Sequence, residues 1–299
     1  MQYDRRKFIK LTGSITTGLA LGSAGSMSLF SSCANGAGSI DTFGLQLYSL
    51  RDDMPKDPKG VLKQVASFGY KQIESYQHDE LGIFWGMGHK EFKKYLDDLG
   101  LSILSTHHGV INGFPDNRSD FEKTAAECAE TGMKYIFCPW LGAQKTLDDY
   151  KRKAELFNQC GEICKKAGLR FGYHNHEYTF QMLEGQMPQD VLMQNTDPAL
   201  VDFEMDIYWV VTAGQDPEAL FKKYPNRFRL CHVKDRMKNT DEREATCTLG
   251  EGIINFPKIL KTARDNGMQH FIVEHERYDG TTPLKAVEAD AAYMKKLKL

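Results

Sequence analysis

The chain is predicted to be an α/β protein folded as a single-domain (β/α)8 barrel, or TIM barrel, over residues 41–299. Three observations carry that prediction. Short, β-prone apolar runs alternate with helical segments eight times along the chain. The stretch they occupy, roughly 260 residues, is the usual size of such a barrel. The alternative, an open doubly wound sheet, usually carries a glycine-rich phosphate loop after its first strand. Here that strand runs into Gln46-Leu47-Tyr48-Ser49-Leu50-Arg51, with no such loop.

The elements follow in order. Residues 43–49 read as the first strand and 59–68 as the first helix, closed by Gly69. A strand over 71–75 precedes a helix over 89–99 that stops at Gly100. Next come a strand over 102–106 and a helix over 119–131, with the Ser119 hydroxyl placed to cap it and Gly132 behind it. A strand over 134–138 leads to a long helix over 147–167 before Gly168. The second half repeats the rhythm: strand 170–173, helix 189–194, strand 200–205, then helix 217–224 with Pro217 in its first turn. Strand 228–231, helix 256–266, strand 270–273 and a closing helix over 282–297 complete eight units. Strands each followed by a helix imply a parallel sheet, because every crossover returns the chain in the same direction.

Residues 1–40 read as a separate export signal and linker. Arg5-Arg6 precedes a weakly apolar stretch over 11–30, which matches a twin-arginine signal. Gly13, Gly18, Gly22 and Gly25 interrupt that stretch and argue against an uncleaved spanning helix. Leu29-Phe30-Ser31-Ser32-Cys33 resembles a lipobox, so acylation of Cys33 and simple cleavage nearby are both open. The expected location is exported and periplasmic, with a lipid on Cys33, if one is added there, as the sole membrane attachment.

A net charge of −2, a pI near 6.5 and the absence of a basic stripe point away from nucleic-acid partners. Cys128, Cys138, Cys160, Cys164, Cys231 and Cys247 form no C-x-x-C pair, which argues against zinc-finger-type binding.

The informative pattern is where the strands end. The runs before His174-Asn175-His176-Glu177, Glu204-Met205-Asp206, His232-Val233-Lys234-Asp235 and Glu274-His275-Glu276 are apolar, and each stops in ionisable residues. Buried ionisable groups are costly unless paired or bound to metal. A lone inward histidine or aspartate is more often a satisfied polar partner than a ligand. Four such endings in series, at the face where barrel active sites lie, favour a shared nitrogen–oxygen site for a divalent ion such as Mn²⁺, Co²⁺, Zn²⁺ or Mg²⁺. Gln46, Tyr48, Glu74, His107 and His108 add polar groups at the ends of the first three strands. Alternation puts His174 with His176, Glu204 with Asp206, and His232 with Lys234 on common faces. Trp85, Trp140, Trp209, Phe84 and Tyr208 are candidates to stack on a sugar face or simply to pack.

These motifs resemble those of the xylose-isomerase-like barrels, which include sugar and sugar-phosphate isomerases and epimerases and inosose dehydratase. The resemblance spans the chain beyond the signal. It rests on Gly44-Leu45-Gln46-Leu47-Tyr48-Ser49-Leu50-Arg51, Gly69-Tyr70-Lys71-Gln72-Ile73-Glu74, Tyr173-His174-Asn175-His176, Asp206-Ile207-Tyr208-Trp209, His232-Val233-Lys234-Asp235 and Gly250-Glu251-Gly252. It implies one divalent metal held by Asp206, His232 and Glu274. A fourth ligand is expected at His174, where the resemblance leads one to expect a glutamate.

The reaction the resemblance implies is removal of a proton next to a sugar carbonyl, with the enediolate stabilised by the ion. His176, Glu274, Lys234 and Glu177 are the expected catalytic groups, with Glu177 able to compensate for the missing carboxylate by folding back. Glu74, His107, Trp209 and Tyr48 are expected to bind substrate. The missing strand-five carboxylate weakens a symmetric two-carboxylate epimerisation, and the export signal weakens a phosphorylated substrate. The expectation is a sugar isomerase or epimerase acting on an unphosphorylated sugar or keto-sugar. A lyase, dehydratase or hydratase on keto-sugars or keto-glycosides is the alternative, and a non-catalytic periplasmic sugar-binding protein a further one.

Overall fold

A computed structural model describes residues 39–299. The expected export signal and Cys33 lie outside the described residues. Eight parallel strands close on themselves: β1 (Gly44–Gln46), β2 (Gln72–Tyr76), β3 (Ser102–His107), β4 (Tyr135–Cys138), β5 (Arg170–His174), β6 (Val201–Asp206), β7 (Phe228–Val233) and, last in the ring, β10 (His270–Val273). The two short strands between, β8 (Asp235–Arg236) and β9 (Thr246–Cys247), pair antiparallel as a separate hairpin. The predicted single-domain TIM barrel is what forms.

Helices α1 (Pro58–Phe68), α2 (His89–Asp98), α3 (Arg118–Glu130), α4 (Leu147–Lys166) and α5 (Pro188–Asn195) follow the first five strands. Then come α6 (Ile207–Thr212), α7 (Pro217–Lys223), α8 (Phe256–Asp265) and α9 (Pro283–Met294). Local chemistry sets their ends. Asp57 caps α1 through Gly60 N, Pro58 occupies its first turn, and Gly69 closes it at φ 100°, a conformation open to glycine. Thr146 and Asp149 form a reciprocal capping box on α4.

Three expectations are corrected. The first strand stops at Gln46, because the Gln46 side chain accepts from Tyr48 N and turns residues Leu47–Leu50 into a 3-10 helix. α3 begins at Arg118, one residue before Ser119, so the Ser119 hydroxyl is not its cap. Between the expected strand over 200–205 and helix over 217–224 the chain forms a further helix, α6, which starts directly after Asp206, whose Oδ1 accepts from Trp209 N.

Most of the apolar core lies between the strands and the surrounding helices. Inside the barrel, Leu104, Tyr135, Phe137, Leu230 and Ile272 form a small apolar plug. Gly172 leaves room for it: a Cβ there would come within 2.2 Å of Phe137 Cε1. Toward the C-terminal strand ends the interior becomes polar, and Glu74, His174, Glu204, Asp206 and His232 are all buried there. Among the described residues no helix is long and apolar enough to cross a membrane.

Candidate metal centre

Strand register brings the site together. His174 on β5 lies opposite Glu204 on β6, and Asp206 lies opposite His232 on β7. Two register shifts occur, one between Ile73 and Glu74 and one between Phe203 and Glu204. Each falls directly before an inward carboxylate, where a bulge re-aims the side chains that follow.

The result is two overlapping groups of ligand-type side chains. Asp206, His232 and Glu274 form one; His107, His174, Glu204 and His232 form the other. Within each group the ligand atoms lie within 4.8 Å of one another. His232 Nε2–H donates to Glu74 Oε1 at 2.8 Å, and His232 Nδ1 sits 3.1 Å from Glu274 Oε2. His174 Nδ1–H donates to Glu204 Oε2 at 3.1 Å, which leaves its Nε2 3.8 Å from Asp206 Oδ2. His107 Nε2–H donates to the same Glu204 oxygen at 2.9 Å and lies 3.2 Å from Glu74 Oε1. Asp206 Oδ2 and Glu204 Oε1 are buried and accept no hydrogen bond from the protein. An orphaned buried carboxylate oxygen among imidazole nitrogens and further carboxylates suits a divalent cation.

Burial and charge contend at every group. Burial lifts the Asp206 carboxyl to about 6, with Glu274 adding to the rise and Lys234 and His232 opposing it. Burial also acts against charging His232, but Glu204 and Glu274 outweigh it and raise that ring well above the ordinary histidine value. His107 is raised to about 9: burial opposes its charge, and Glu74 and Glu204 overcome it. Burial, seconded by the neighbouring His232, lowers His174 to about 4. Burial likewise drops His176 well below the usual value, so it stands neutral.

A cavity of about 610 Å³ opens above these groups, lined in part by Tyr48, His107, His174, His176, Trp209 and Glu274. A second, of about 630 Å³, adjoins it across Tyr48, Trp209, Arg243 and Glu276. Of the expected substrate-binding residues, Tyr48, His107 and Trp209 line the first cavity. Glu74 does not: it is fully buried beneath the site, held by Gln46, Ser105 and His232. Lys234 is also buried rather than facing the cavity. Its Nζ lies 3.3 Å from Glu274 Oε2 and is bonded to Glu276, with the Trp209 ring 5.0 Å away.

Glu177 does not fold back toward the ligands. Both its oxygens accept from Arg243, at 2.7 and 2.9 Å, and the Arg243 guanidinium lies over the Trp209 ring at 4.3 Å. Of the aromatic candidates, Trp140 and Trp209 flank His176 at the cavity, whereas Phe84 and Trp85 are core. His108, near the site in sequence, packs against Phe121 instead.

Sequence reasoning missed two features. Glu204 was legible as an inward residue but not as the carboxylate serving both His107 and His174. The β8–β9 hairpin, which carries Arg243 to the cavity rim, has no strand pattern of its own. The Tyr208 hydroxyl braces it by donating to Arg243 O and accepting from Ala245 N. Asp235 joins two of the quoted motifs: its carboxylate accepts from the backbone N–H of Gly250 and Gly252 at 2.9 and 3.0 Å.

Fold and cluster together define an α/β barrel with a candidate metal centre at the C-terminal ends of its strands. The chain belongs to the xylose isomerase-like TIM barrel family, whose model matches residues 62–297. It is 25% identical over 267 residues to inosose dehydratase of Lacticaseibacillus casei, covering 79% of this chain and 88% of that one. It is also similar to a sugar phosphate isomerase/epimerase of Parabacteroides distasonis, solved by crystallography. That match has 33% identity and a TM-score of 0.73, over 86% of this chain and 94% of the other. The IolI protein, solved with a bound zinc atom, shares the fold at 15% identity and a TM-score of 0.69, over 85% of this chain and 95% of the other. The protein is an enzyme. That sets aside the sugar-binding-protein alternative.

Proposed function

We propose that the protein is a divalent-metal-dependent enzyme that removes a proton next to the carbonyl of an unphosphorylated sugar or keto-sugar, with an isomerase or epimerase outcome. The observation that carries this reading is the buried Asp206, His232 and Glu274 group, with His174 beside it, beneath a cavity of about 610 Å³. His174, Asp206, His232 and Glu274 would hold the ion; Mn²⁺, Co²⁺, Zn²⁺ and Mg²⁺ all suit a mixed set of imidazole and carboxylate donors. When bound, the ion supplies positive charge beside the oxygen on which negative charge develops.

The chain's own residues do the rest. His176 is neutral and lines the cavity, so it can take a proton at a ring nitrogen; its Nδ1 has no protein partner. Glu274 is the carboxylate at the cavity floor, kept ionised by Lys234 and His232 against the pull of burial. Lys234 steadies Glu274 and Glu276 from below. Trp140 and Tyr48, both exposed at the cavity, give apolar faces on which a sugar ring can stack, while Trp209, its ring covered by Arg243 and Lys234, forms part of the wall.

A second reading, β-elimination of water from the same starting step, is supported by similarity to an inosose dehydratase over 88% of that enzyme. Export, argued from Arg5-Arg6, favours the unphosphorylated substrate in either case.

The test is to incubate metal-loaded protein with unphosphorylated sugars, keto-sugars and keto-glycosides in D₂O and follow C–H exchange by NMR. Exchange next to the carbonyl with a new isomer or epimer supports the first reading, and an unsaturated product the second. No exchange and no turnover across the panel would sink both.

A further inference from the structure

Glu204 is buried to 0% exposure, yet it lines neither of the two cavities at the site and is not one of the ligands proposed above. A buried carboxylate is expensive unless it is paired, so its neighbours indicate its use. One oxygen, Oε2, receives His174 Nδ1–H at 3.1 Å and His107 Nε2–H at 2.9 Å. His232 Nε2 is a further 3.4 Å away. The strand pairing that faces Glu204 with His174 makes this contact a consequence of the fold, and the register shift just before Glu204 falls where it turns inward.

We infer that Glu204 is a positioning residue: by accepting the Nδ1–H of His174 it turns the Nε2 lone pair of that ring toward Asp206, and so makes His174 a cation ligand. The inference rests on the metal site proposed above. It has a counterpart within the same site, since Glu74 holds His232 Nε2–H and leaves Nδ1 toward Glu274. The two imidazoles thus present opposite ring nitrogens to one region, and each is fixed at its other nitrogen by a fully buried carboxylate. His107 keeps Glu204 in place, because its bond to the same oxygen resists rotation of the carboxylate. A carboxylate acting on a ligand imidazole in this way fixes its tautomer and strengthens it as a donor.

Two measurements test this. In Co²⁺ titrations, Glu204→Gln is expected to weaken binding about 10- to 100-fold, the usual loss when such a partner is removed, and to shift the visible Co²⁺ absorption. Glu204→Asp should recover part of the affinity. Wild-type affinity with an unchanged spectrum in Glu204→Gln overturns the inference. Asp206→Ala separates it from the underlying site: loss of cobalt there, alongside full binding by Glu204→Gln, rejects only the role of Glu204. Cobalt kept in Asp206→Ala but lost in both Glu204→Gln and His107→Ala would make Glu204 itself a ligand and reject both. Independently of any variant, long-range ¹H–¹⁵N spectra of the wild-type protein loaded with Zn²⁺ should show His174 as the Nδ1–H tautomer, and the Nε2–H tautomer overturns the inference.

Discussion

Glu74 Oε1 lies 2.8 Å from His232 Nε2, and both side chains are fully buried inside the barrel. The contact fixes which nitrogen of His232 faces the site: Nε2–H is committed to Glu74, and Nδ1 is left beside Glu274. A residue expected to bind substrate thus serves a proposed ligand from below. Replacing it should therefore weaken the metal before it alters sugar recognition.

Loss of metal is the first expected outcome. Asp206→Ala, His232→Ala and Glu274→Ala proteins should contain less than stoichiometric metal by elemental analysis after purification, and His174→Ala should bind it markedly more weakly. If Asp206→Ala and Glu274→Ala both fold, keep one ion per chain and retain full activity, the ligand assignment is wrong.

His176 should separate binding of the ion from turnover. Its ring lines the cavity and is flanked by Trp140 and Trp209, at centroid distances of 4.6 and 5.4 Å. His176→Ala is expected to keep its metal while kcat falls by roughly 10²- to 10⁴-fold, the range for loss of a positioned acid–base group. Loss of metal in that variant would place His176 among the ligands instead.

Metal affinity should depend on pH with a definite sign. In the metal-free protein the Asp206 carboxyl titrates near 6, raised by burial, and His232 is protonated well above the usual histidine range because Glu204 and Glu274 outweigh its burial. A cation must displace both protons, so uptake releases protons and affinity rises with pH. The slope should be roughly tenfold per pH unit for each proton displaced, and should steepen below about pH 6 as Asp206 adds its own. Calorimetric titrations in buffers of different ionisation enthalpy measure the protons released. Affinity independent of pH between 5 and 8 would count against the assignment.

Export is proposed from the sequence. Exchanging Arg5 and Arg6 for lysine should retain the protein in the cytoplasm, followed by fractionation. Unchanged export in that variant would reject the twin-arginine signal. The mass of the mature N-terminus reports whether Cys33 carries a lipid.

The alternation of apolar runs and helical segments made the barrel legible, because strands buried on both faces and helices closed by glycine leave short-range signals. It also made legible that His174, Asp206, His232 and Glu274 stand at strand ends facing inward, since side-chain direction in a strand follows from counting by two. Depth was not legible. Glu204 and Asp206 share a face of β6, yet Glu204 meets His107 and His174 whereas Asp206 lies with His232 and Glu274. That difference depends on how neighbouring strands are staggered and on the shifts at Glu74 and Glu204, which belong to pairs of strands and not to either strand alone. Only the tertiary structure could decide that Glu74 lies beneath His232 rather than against substrate. The same holds for Glu177, bound by Arg243, which lies 66 positions away. Hydrogen bonds and ion pairs between distant segments are selected by closure of the barrel, whereas a local pattern can say only which way each side chain points.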